Sequence, residues 1–131
     1  MDKTIKYTKI FKKQLKKWRQ DPKWHSVFNG SLPQELDNQE RSPWEFNIQC
    51  LIEDNKIPNY FHPHALENLI NIKQQIKKQL SDKRTTVIIL ELHFDGHSGD
   101  HLLVYAPTQE TVFLIGIGTH IELFKWGIYK S

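Results

Sequence analysis

Apolar residues recur with a helical period in the first half of the chain. Phe11, Leu15 and Trp18 stand at i, i+4 and i+7, which places them on one stripe of a helix that begins near Thr8. The Asp21-Pro22 pair ends this helix, because helical backbone is disfavoured at the residue before a proline. We therefore predict an amphipathic first helix with its apolar side toward the core.

Capping residues and periodicity indicate two further helices. Ser42 can cap a helix whose first position is Pro43, and Glu45 three residues on completes a capping box. The segment from Leu66 to Leu80 has apolar residues on one side and lysines on another, which predicts a third helix.

The last third of the chain has the composition of β-strands. Its apolar runs are rich in β-branched and aromatic residues and are separated by polar turns. With a short edge strand near the N-terminus, the predicted strands span residues 5–7, 85–94, 102–106 and 111–117. The last three are closely joined, which predicts an antiparallel meander, and a short helix at 121–126 follows it. We predict an α+β fold with the N-terminal helices on one face of a small antiparallel sheet.

Composition is that of an ordinary globular protein. The 131 residues suit one domain, 1–131, with 38% apolar and 25% charged residues. The single cysteine, Cys50, excludes an intrachain disulfide and a cysteine zinc site, and it suits a reducing cytoplasm. No apolar run approaches the roughly 18 residues of a membrane span. We expect a cytoplasmic protein that does not act at a membrane.

Charge is segregated along the chain, although the formal net charge is only +3. Residues 1–19 carry eight Lys or Arg and one Asp, whereas residues 31–54 carry one Arg and six acidic residues. A second basic run spans residues 73–84. Basic faces of this kind suit a polyanion or an acidic protein partner, and the alternative is an ordinary solvated helix surface.

Titratable groups are concentrated in the segment 93–101, which has three histidines and two aspartates in nine positions. Imidazole can both give and take a proton near neutral pH. RNA cleavage without a metal needs that pair of roles, a base for the ribose 2′-OH and an acid for the departing 5′ oxygen. One alternative is a metal site at His93, His97 and His101, although their spacing matches no accepted ligand motif. Another is a polar turn without a chemical role.

Three ordered motifs carry a resemblance to a known protein family. They are Ile57-Pro58 with Tyr60–Leu66, Asp95-Gly96-His97 with Asp100–Tyr105, and Gly118-Thr119-His120 with Leu123-Phe124. Together with the basic helix upstream, they resemble the YafQ branch of the RelE/ParE superfamily, the toxins of bacterial type II toxin–antitoxin systems. The resemblance implies a RelE-like microbial RNase fold and an mRNA interferase, an endoribonuclease that cuts mRNA on the ribosome.

The resemblance also implies roles for individual residues. The implied catalytic residues, which would act by metal-independent acid–base chemistry without a cofactor, are His64, His97, Asp100 and His120. The implied RNA-binding residues are Phe124, which would stack on a base, and the lysines of the basic first helix, Lys9, Lys12, Lys13 and Lys16. Lys83, Arg84 and Lys125 are further RNA-binding candidates, because their charge could replace that of a family arginine that this chain lacks. The implied partners are mRNA, the ribosome and a cognate antitoxin of the ribbon-helix-helix type with an acidic segment.

The chain departs from the family's pattern in three places. Residues 20–42 form an extended connection, and residues 67–86 look like an inserted basic helix. The arginine that the family has just before its Gly-Thr-His motif is missing, and Gly116 lies in that region instead. The missing cation favours an alternative in which the same fold inhibits the ribosome or gyrase by docking, without cutting RNA.

Overall fold

A computed structural model describes residues 2–125, except for the side chain of Lys125. In chain order its elements are β1 (Thr4–Tyr7), α1 (Lys9–Arg19), α2 (His25–Asn29), α3 (Pro43–Ile52), β2 (His64–Leu66), α4 (Ile70–Lys78), β3 (Ile89–His93), β4 (Leu102–Pro107) and β5 (Thr111–Gly118). Two 3₁₀ turns, Pro22–Trp24 and Asn59–Phe61, and a π-helical turn, Ile121–Lys125, accompany them. Residue 126, the end of the predicted C-terminal helix, lies outside the described residues. Within the described part, no helix has the length and apolar character needed to cross a membrane.

The strands form one sheet in the order β1-β5-β4-β3-β2. β3, β4 and β5 are antiparallel neighbours, which confirms the predicted meander, and β2 pairs antiparallel with β3. β1 lies parallel to β5, with Thr4 beside Thr111 and Tyr7 beside Leu114, so the sheet is mixed rather than wholly antiparallel. A parallel pair needs a long crossover, and the rest of the chain supplies it.

Helices cover both faces of the sheet. On one face, α1, α2 and α3 pack in a core that includes Phe11, Phe46 and Leu103. On the other face, α4 packs in a second core that includes Ile76 and Val104. The prediction that the N-terminal helices share one face is confirmed. α4 covers the opposite face, which periodicity does not reveal because an apolar stripe does not specify the face against which it packs.

Side chains of α1 cover the edge of β5 beyond the end of β1. The hydroxyl of Thr8 donates to the carbonyl of Ile115 over 3.1 Å, and the side-chain oxygen of Gln14 accepts from the N–H of Ile117 over 3.0 Å. The indole N–H of Trp18 donates to the carbonyl of Ile117 over 2.9 Å. These bonds satisfy backbone groups that a longer β1 would otherwise pair, and they fix α1 against β5.

The predicted cap of α3 is present, and two boundaries differ from the prediction. The hydroxyl of Ser42 accepts from the N–H of Glu45, while the carboxylate of Glu45 accepts from the N–H of Ser42. α4 begins at Ile70 rather than Leu66, because Leu66 pairs with Ile89 in the sheet. β3 begins later than predicted, since neither β2 nor β4 offers a partner before Ile89.

Candidate functional site

The register of β2 against β3 sets a buried carboxylate opposite a histidine. His64 pairs directly with Glu91, and His93 stands two residues further along β3 on the same face. Glu91 is 1% exposed and His93 is 5% exposed. Nε2 of His64 lies 2.9 Å from Oε2 of Glu91, a hydrogen bond, and Nε2 of His93 lies 3.7 Å from the same oxygen. The carboxylate is therefore held out of water and faces imidazole rings.

His120, just beyond the end of β5, brings a third ring to this carboxylate. Its Nε2 lies 3.9 Å from Oε2 of Glu91. Its Nδ1 and its backbone N–H each lie 3.0 Å from Oδ1 of Asp100. Because an ionised carboxylate only accepts, Nδ1 of His120 carries a proton, and Nε2 of the neutral ring presents a lone pair. Of the four predicted catalytic residues, His64 and His120 thus face Glu91, and Asp100 joins them through the ring of His120.

His62 and His97 extend the group along its rim. The ring centroid of His62 lies 4.7 Å from that of His64, 5.4 Å from that of His93 and 4.0 Å from that of His97. Burial, followed by the charges of these rings, lowers the pKa of His62 below its ordinary value. His97, the fourth predicted catalytic residue, is exposed and joins the others through His62. We call the five histidines and Glu91 the Glu91 cluster.

The loop between β3 and β4 contains a second carboxylate–histidine centre. Oδ2 of Asp95 lies 2.6 Å from Nδ1 of His101, and Oδ1 accepts from the backbone N–H of His101 over 3.2 Å. The ring of His101 also packs edge-on against Trp24, with 4.4 Å between centroids. Burial alone would raise the pKa of Asp95, but the hydrogen bonds from His101 outweigh it, and the pKa is lowered. The hydrogen bond to Asp95 is the main cause that raises the pKa of His101.

Two glycines allow this loop to fold. Gly96 has a φ of 93°, which glycine adopts without strain, and a Cβ at Gly99 would overlap the carboxylate of Asp95. The carbonyl of Gly99 accepts from Nδ1 of His93 over 2.9 Å. The loop therefore sets the orientation of a ring in the Glu91 cluster.

The predicted alternative of a metal site at His93, His97 and His101 is wrong. The ring of His101 is hydrogen-bonded to the loop aspartate, while His93 faces Glu91. The four-residue spacing would place these histidines on one side of a helix, but the intervening residues form a turn. Among the described residues, the group whose ligand atoms all lie within 4.8 Å of one another is His64, Glu91 and His93.

The predicted RNA-binding residues lie in separate places. The four predicted lysines of α1, which are Lys9, Lys12, Lys13 and Lys16, are exposed. Phe124 is 38% exposed and stacks on His120, with 5.5 Å between ring centroids. The side chain of Lys125 lies outside the described residues.

Lys83 and Arg84 lie away from the Glu91 cluster. They precede β3, whose far end carries His93, and their neighbour Asp82 lines the same cavity as the turn at residues 108–111. The ammonium of Lys83 donates to two carbonyls at the C-terminal end of α4, over 3.1 and 2.7 Å, and Arg84 pairs with Asp82. The length of the strand separates these cations from the histidines.

Sequence reasoning missed Glu91 and His62 and assigned His93 only to the discarded metal alternative. Glu91 carried a readable signal, because it is the one charged residue in the run VIILEL of residues 87–92. A carboxylate in a strand that is otherwise apolar indicates a site, since acidic residues are rarely fully buried without a partner. His62 carried no such signal, because its position follows from a left-handed backbone turn with a φ of 49°.

Solved structures include toxins with this architecture. A chain of the E. coli DinJ–YafQ toxin–antitoxin complex is similar with a TM-score of 0.57 and 18% identity, over 95% of this chain and 99% of that chain. YafQ from E. coli strain BL21(DE3) gives 0.55 and 18%, over 93% and 98%. A metal-bound toxin from Helicobacter pylori gives 0.56 and 24%, over 95% and 100%. The chain has the fold of these toxins.

The predicted RelE-like fold is therefore confirmed. No model of a known protein family matches the chain, and no curated protein sequence is significantly similar to it. The coverage of nearly the whole of both chains means that the RelE-like fold accounts for most of the molecule.

Proposed function

We propose that this protein is the toxin of a type II toxin–antitoxin pair and that it inhibits translation by cutting mRNA on the ribosome in the cytoplasm. Its fold, shared with YafQ and the H. pylori toxin, supports the proposal. The observation that carries it is that His64 and His120 both face Glu91 while Asp100 holds the ring of His120. These residues come from separate segments of the chain, and together they offer the base and the acid that RNA cleavage needs.

His120 acts as the base in this proposal. With its Nδ1–H donated to Asp100, Nε2 takes the proton from a ribose 2′-OH, and the 2′ oxygen attacks the adjacent phosphorus. Asp100 is a positioning residue, because it holds the ring in this tautomer and stabilises the imidazolium that forms. The P–O5′ bond breaks, and His64, whose Nε2 shares a proton with Glu91, protonates the leaving 5′ oxygen. The products are a 2′,3′-cyclic phosphate and a 5′ hydroxyl.

Two exposed side chains beside these groups would position the RNA. Phe124 lies against His120 and offers its ring to an unpaired base, as aromatic residues do with single-stranded RNA. His97 lies on the rim and would contact the phosphate next to the cut.

The basic surfaces would hold the remainder of the RNA. The exposed lysines of α1 bind phosphates without reading sequence, so affinity falls steeply as salt concentration rises. Lys83 and Arg84, at the other end of the sheet, would meet a separate stretch of RNA, which suits a large particle such as the ribosome.

A cognate antitoxin is the second partner in the proposal. A similar chain was solved in a complex of YafQ with DinJ. We infer that a ribbon-helix-helix antitoxin neutralises this protein, with an acidic segment lying along the basic side of α1, because opposite charges would bring the two together.

Growth and RNA-cleavage measurements test the proposal. Induction of the chain alone in bacteria arrests growth, and primer extension on cellular mRNA detects discrete new 5′ ends. His120→Ala relieves the arrest and removes the new ends, whereas the matched histidine variant His25→Ala, altered on α2 outside the cluster, behaves as wild type. Arrest and cleavage that persist in His120→Ala would rule out the assigned base.

A second candidate function is inhibition by docking without cleavage. It is favoured by the lack of a cation near the candidate site. Gly116 stands where the family that this chain resembles has an arginine. Among the ion pairs of residues 2–124, none joins a lysine or an arginine to the Glu91 cluster. In that case growth arrest occurs without new mRNA ends. Co-sedimentation with ribosomes, or a DNA-damage response that reports inhibited gyrase, identifies the target.

A further inference from the structure

The geometry of the Glu91 cluster points to a second capability, and we propose that it binds a divalent transition-metal ion of the zinc or copper class. The ligands are Nε2 of His64, a carboxylate oxygen of Glu91 and Nε2 of His93. His120 lies at the open side of the site. This binding does not depend on the proposed RNA cleavage, which uses no metal.

The three rings that face Glu91 are all held in the orientation that metal-binding histidines adopt. Backbone carbonyls lie 2.8 Å from Nδ1 of His64 and 2.9 Å from Nδ1 of His93, and the carboxylate of Asp100 lies 3.0 Å from Nδ1 of His120. Each of these partners can only accept, so Nδ1 carries the proton in each ring. Nε2 of each ring then faces Glu91 and can bind a cation, which in His64 would displace the proton shared with the carboxylate. This division of roles between the two ring nitrogens is the usual one for histidine ligands.

The spacing of the ligand atoms suits a single ion better than a hydrogen-bond network. Nε2 of His64, His93 and His120 lie 2.9, 3.7 and 3.9 Å from one oxygen of Glu91. The two longer distances exceed the length of a hydrogen bond. Ligands about 2.0–2.2 Å from a tetrahedral zinc ion are separated from one another by roughly 3.3 Å. The observed distances lie on either side of that value.

Two buried atoms at the centre of the group have no protein partner. Among the described residues, Nε2 of His93 and Oε1 of Glu91 are buried and without a hydrogen bond. A buried polar atom left unpaired costs about 1–3 kcal/mol. The lone pair of a neutral His93 would also face the negative carboxylate. A cation bound by the carboxylate of Glu91 and by Nε2 of His93 would give both groups a partner. The 3.7 Å between that nitrogen and the other carboxylate oxygen, Oε2, is too long for a hydrogen bond.

The ligand set decides the class of metal. Imidazole nitrogens suit zinc, copper and nickel, whereas magnesium and calcium prefer sites made of oxygen atoms. Two histidines and a glutamate with an open fourth position form a known type of zinc site. We therefore expect binding of Zn²⁺, Cu²⁺ and Co²⁺ and none of Mg²⁺.

Metal binding would inhibit the proposed cleavage, and this consequence alone rests on the proposed function. An ion on Nε2 of His64 occupies the atom that protonates the leaving oxygen. The same ion draws Nε2 of His120 away from the ribose hydroxyl. Added Zn²⁺ would therefore lower cleavage and a chelator would restore it, the reverse of the behaviour of a metal-dependent nuclease.

The test is a titration of the full chain, stripped of metal, with Co²⁺ while the visible absorption of the ion is recorded. Wild type binds one ion per chain and develops the intense bands of a tetrahedral or five-coordinate site. Zn²⁺ displaces the ion and Mg²⁺ does not. Glu91→Gln and His64→Ala each weaken binding at least tenfold, and His25→Ala leaves it unchanged. The unfolding midpoint of each variant shows whether it is folded.

Several results would overturn the proposal. Wild-type protein that binds no Co²⁺ or Zn²⁺ excludes the site, whatever the result of the cleavage assay. Binding that survives both Glu91→Gln and His64→Ala but is lost in His97→Ala places the metal elsewhere. Should His64→Ala fail to fold, Glu91→Gln decides, because the glutamine side chain has the same size as the glutamate it replaces.

Discussion

The two carboxylate–histidine centres of this protein lie on consecutive segments of the chain and are built in opposite ways. Asp95 and His101 pair one to one over 2.6 Å, the backbone N–H of His101 adds a second bond, and Trp24 packs against the ring. Glu91 faces three rings at 2.9, 3.7 and 3.9 Å, and one of its oxygens has no partner among the described residues. The Asp95 centre is satisfied, because both carboxylate oxygens have hydrogen-bond partners, and the Glu91 centre is open, because one of its oxygens has none among the described residues.

The difference suggests that the Asp95–His101 centre stabilises the structure, whereas the Glu91 centre serves the proposed function. Satisfied polar groups hold the loop between β3 and β4 in place, and the shifted pKa values of Asp95 and His101 record their mutual hydrogen bonds. Unsatisfied polar groups in a buried position lower stability and persist where function requires them. In the sequence, the histidines of both centres look alike, and only their partners distinguish them.

The largest effect is expected from His120, at the open centre. His120→Ala lowers the rate of RNA cleavage by roughly 10²–10⁴-fold, the usual contribution of a positioned proton acceptor. The free energy of unfolding changes by less than about 0.5 kcal/mol, because the side chain is largely exposed. Cleavage rates and urea unfolding of the same preparation check both. A stability loss as large as the rate loss would make His120 a structural residue.

A smaller effect, of the opposite kind, is expected at the satisfied centre. Asp95→Asn removes a charge-assisted hydrogen bond to His101 and lowers the free energy of unfolding by about 1–2 kcal/mol. Cleavage declines less than in His120→Ala, because Asp95 does not touch the reacting groups. Urea unfolding measures the change in the free energy of unfolding, and primer extension measures the change in RNA cleavage. Wild-type stability in Asp95→Asn would remove the distinction between the two centres.

A third carboxylate, that of Asp37, contacts no residue of the two centres in the hydrogen bonds and ion pairs of the described residues and serves as a reference for the comparison. Asp37 accepts two hydrogen bonds from the guanidinium of Arg41, and the first of the causes that lower its pKa is this side-chain bonding. Its folded pKa lies below the ordinary aspartate value of about 3.9, so its contribution is present above that pH and is lost as the pH falls through the folded pKa.

Asp37→Asn is therefore expected to lower the free energy of unfolding by about 1 kcal/mol at neutral pH and by less in acid. Unfolding of wild type and variant across the acid range measures the difference, while cleavage stays at the wild-type level. A difference that grows as the pH falls would contradict the assigned ion pair.

The sequence identified correctly the helices that depend on interactions between residues close together in the chain. The capping box at Ser42 and Glu45 placed α3, and the apolar spacing of Phe11 and Trp18 placed α1. The face that α4 covers and the parallel pairing of β1 were not readable, because both depend on contacts between distant segments. Local rules do not encode such contacts.

The residues of the candidate site were identified in part from the sequence, for the same reason. His64, Asp100 and His120 came from the family resemblance, whereas the carboxylate that joins them depends on the register between β2 and β3. No periodicity in a three-residue strand fixes that register. Lys83 was placed near the RNA on charge alone, and the length of β3 carries it to the other end of the sheet.

The most direct measurement is the free energy of unfolding of Glu91→Gln in metal-free buffer, beside that of Asp95→Asn. Glutamine keeps an acceptor for His64, while it removes a buried charge. We predict stability equal to or above that of wild type for Glu91→Gln and a clear loss for Asp95→Asn. Equal losses in the two variants would mean that Glu91 serves the fold and that the open centre is not a functional site.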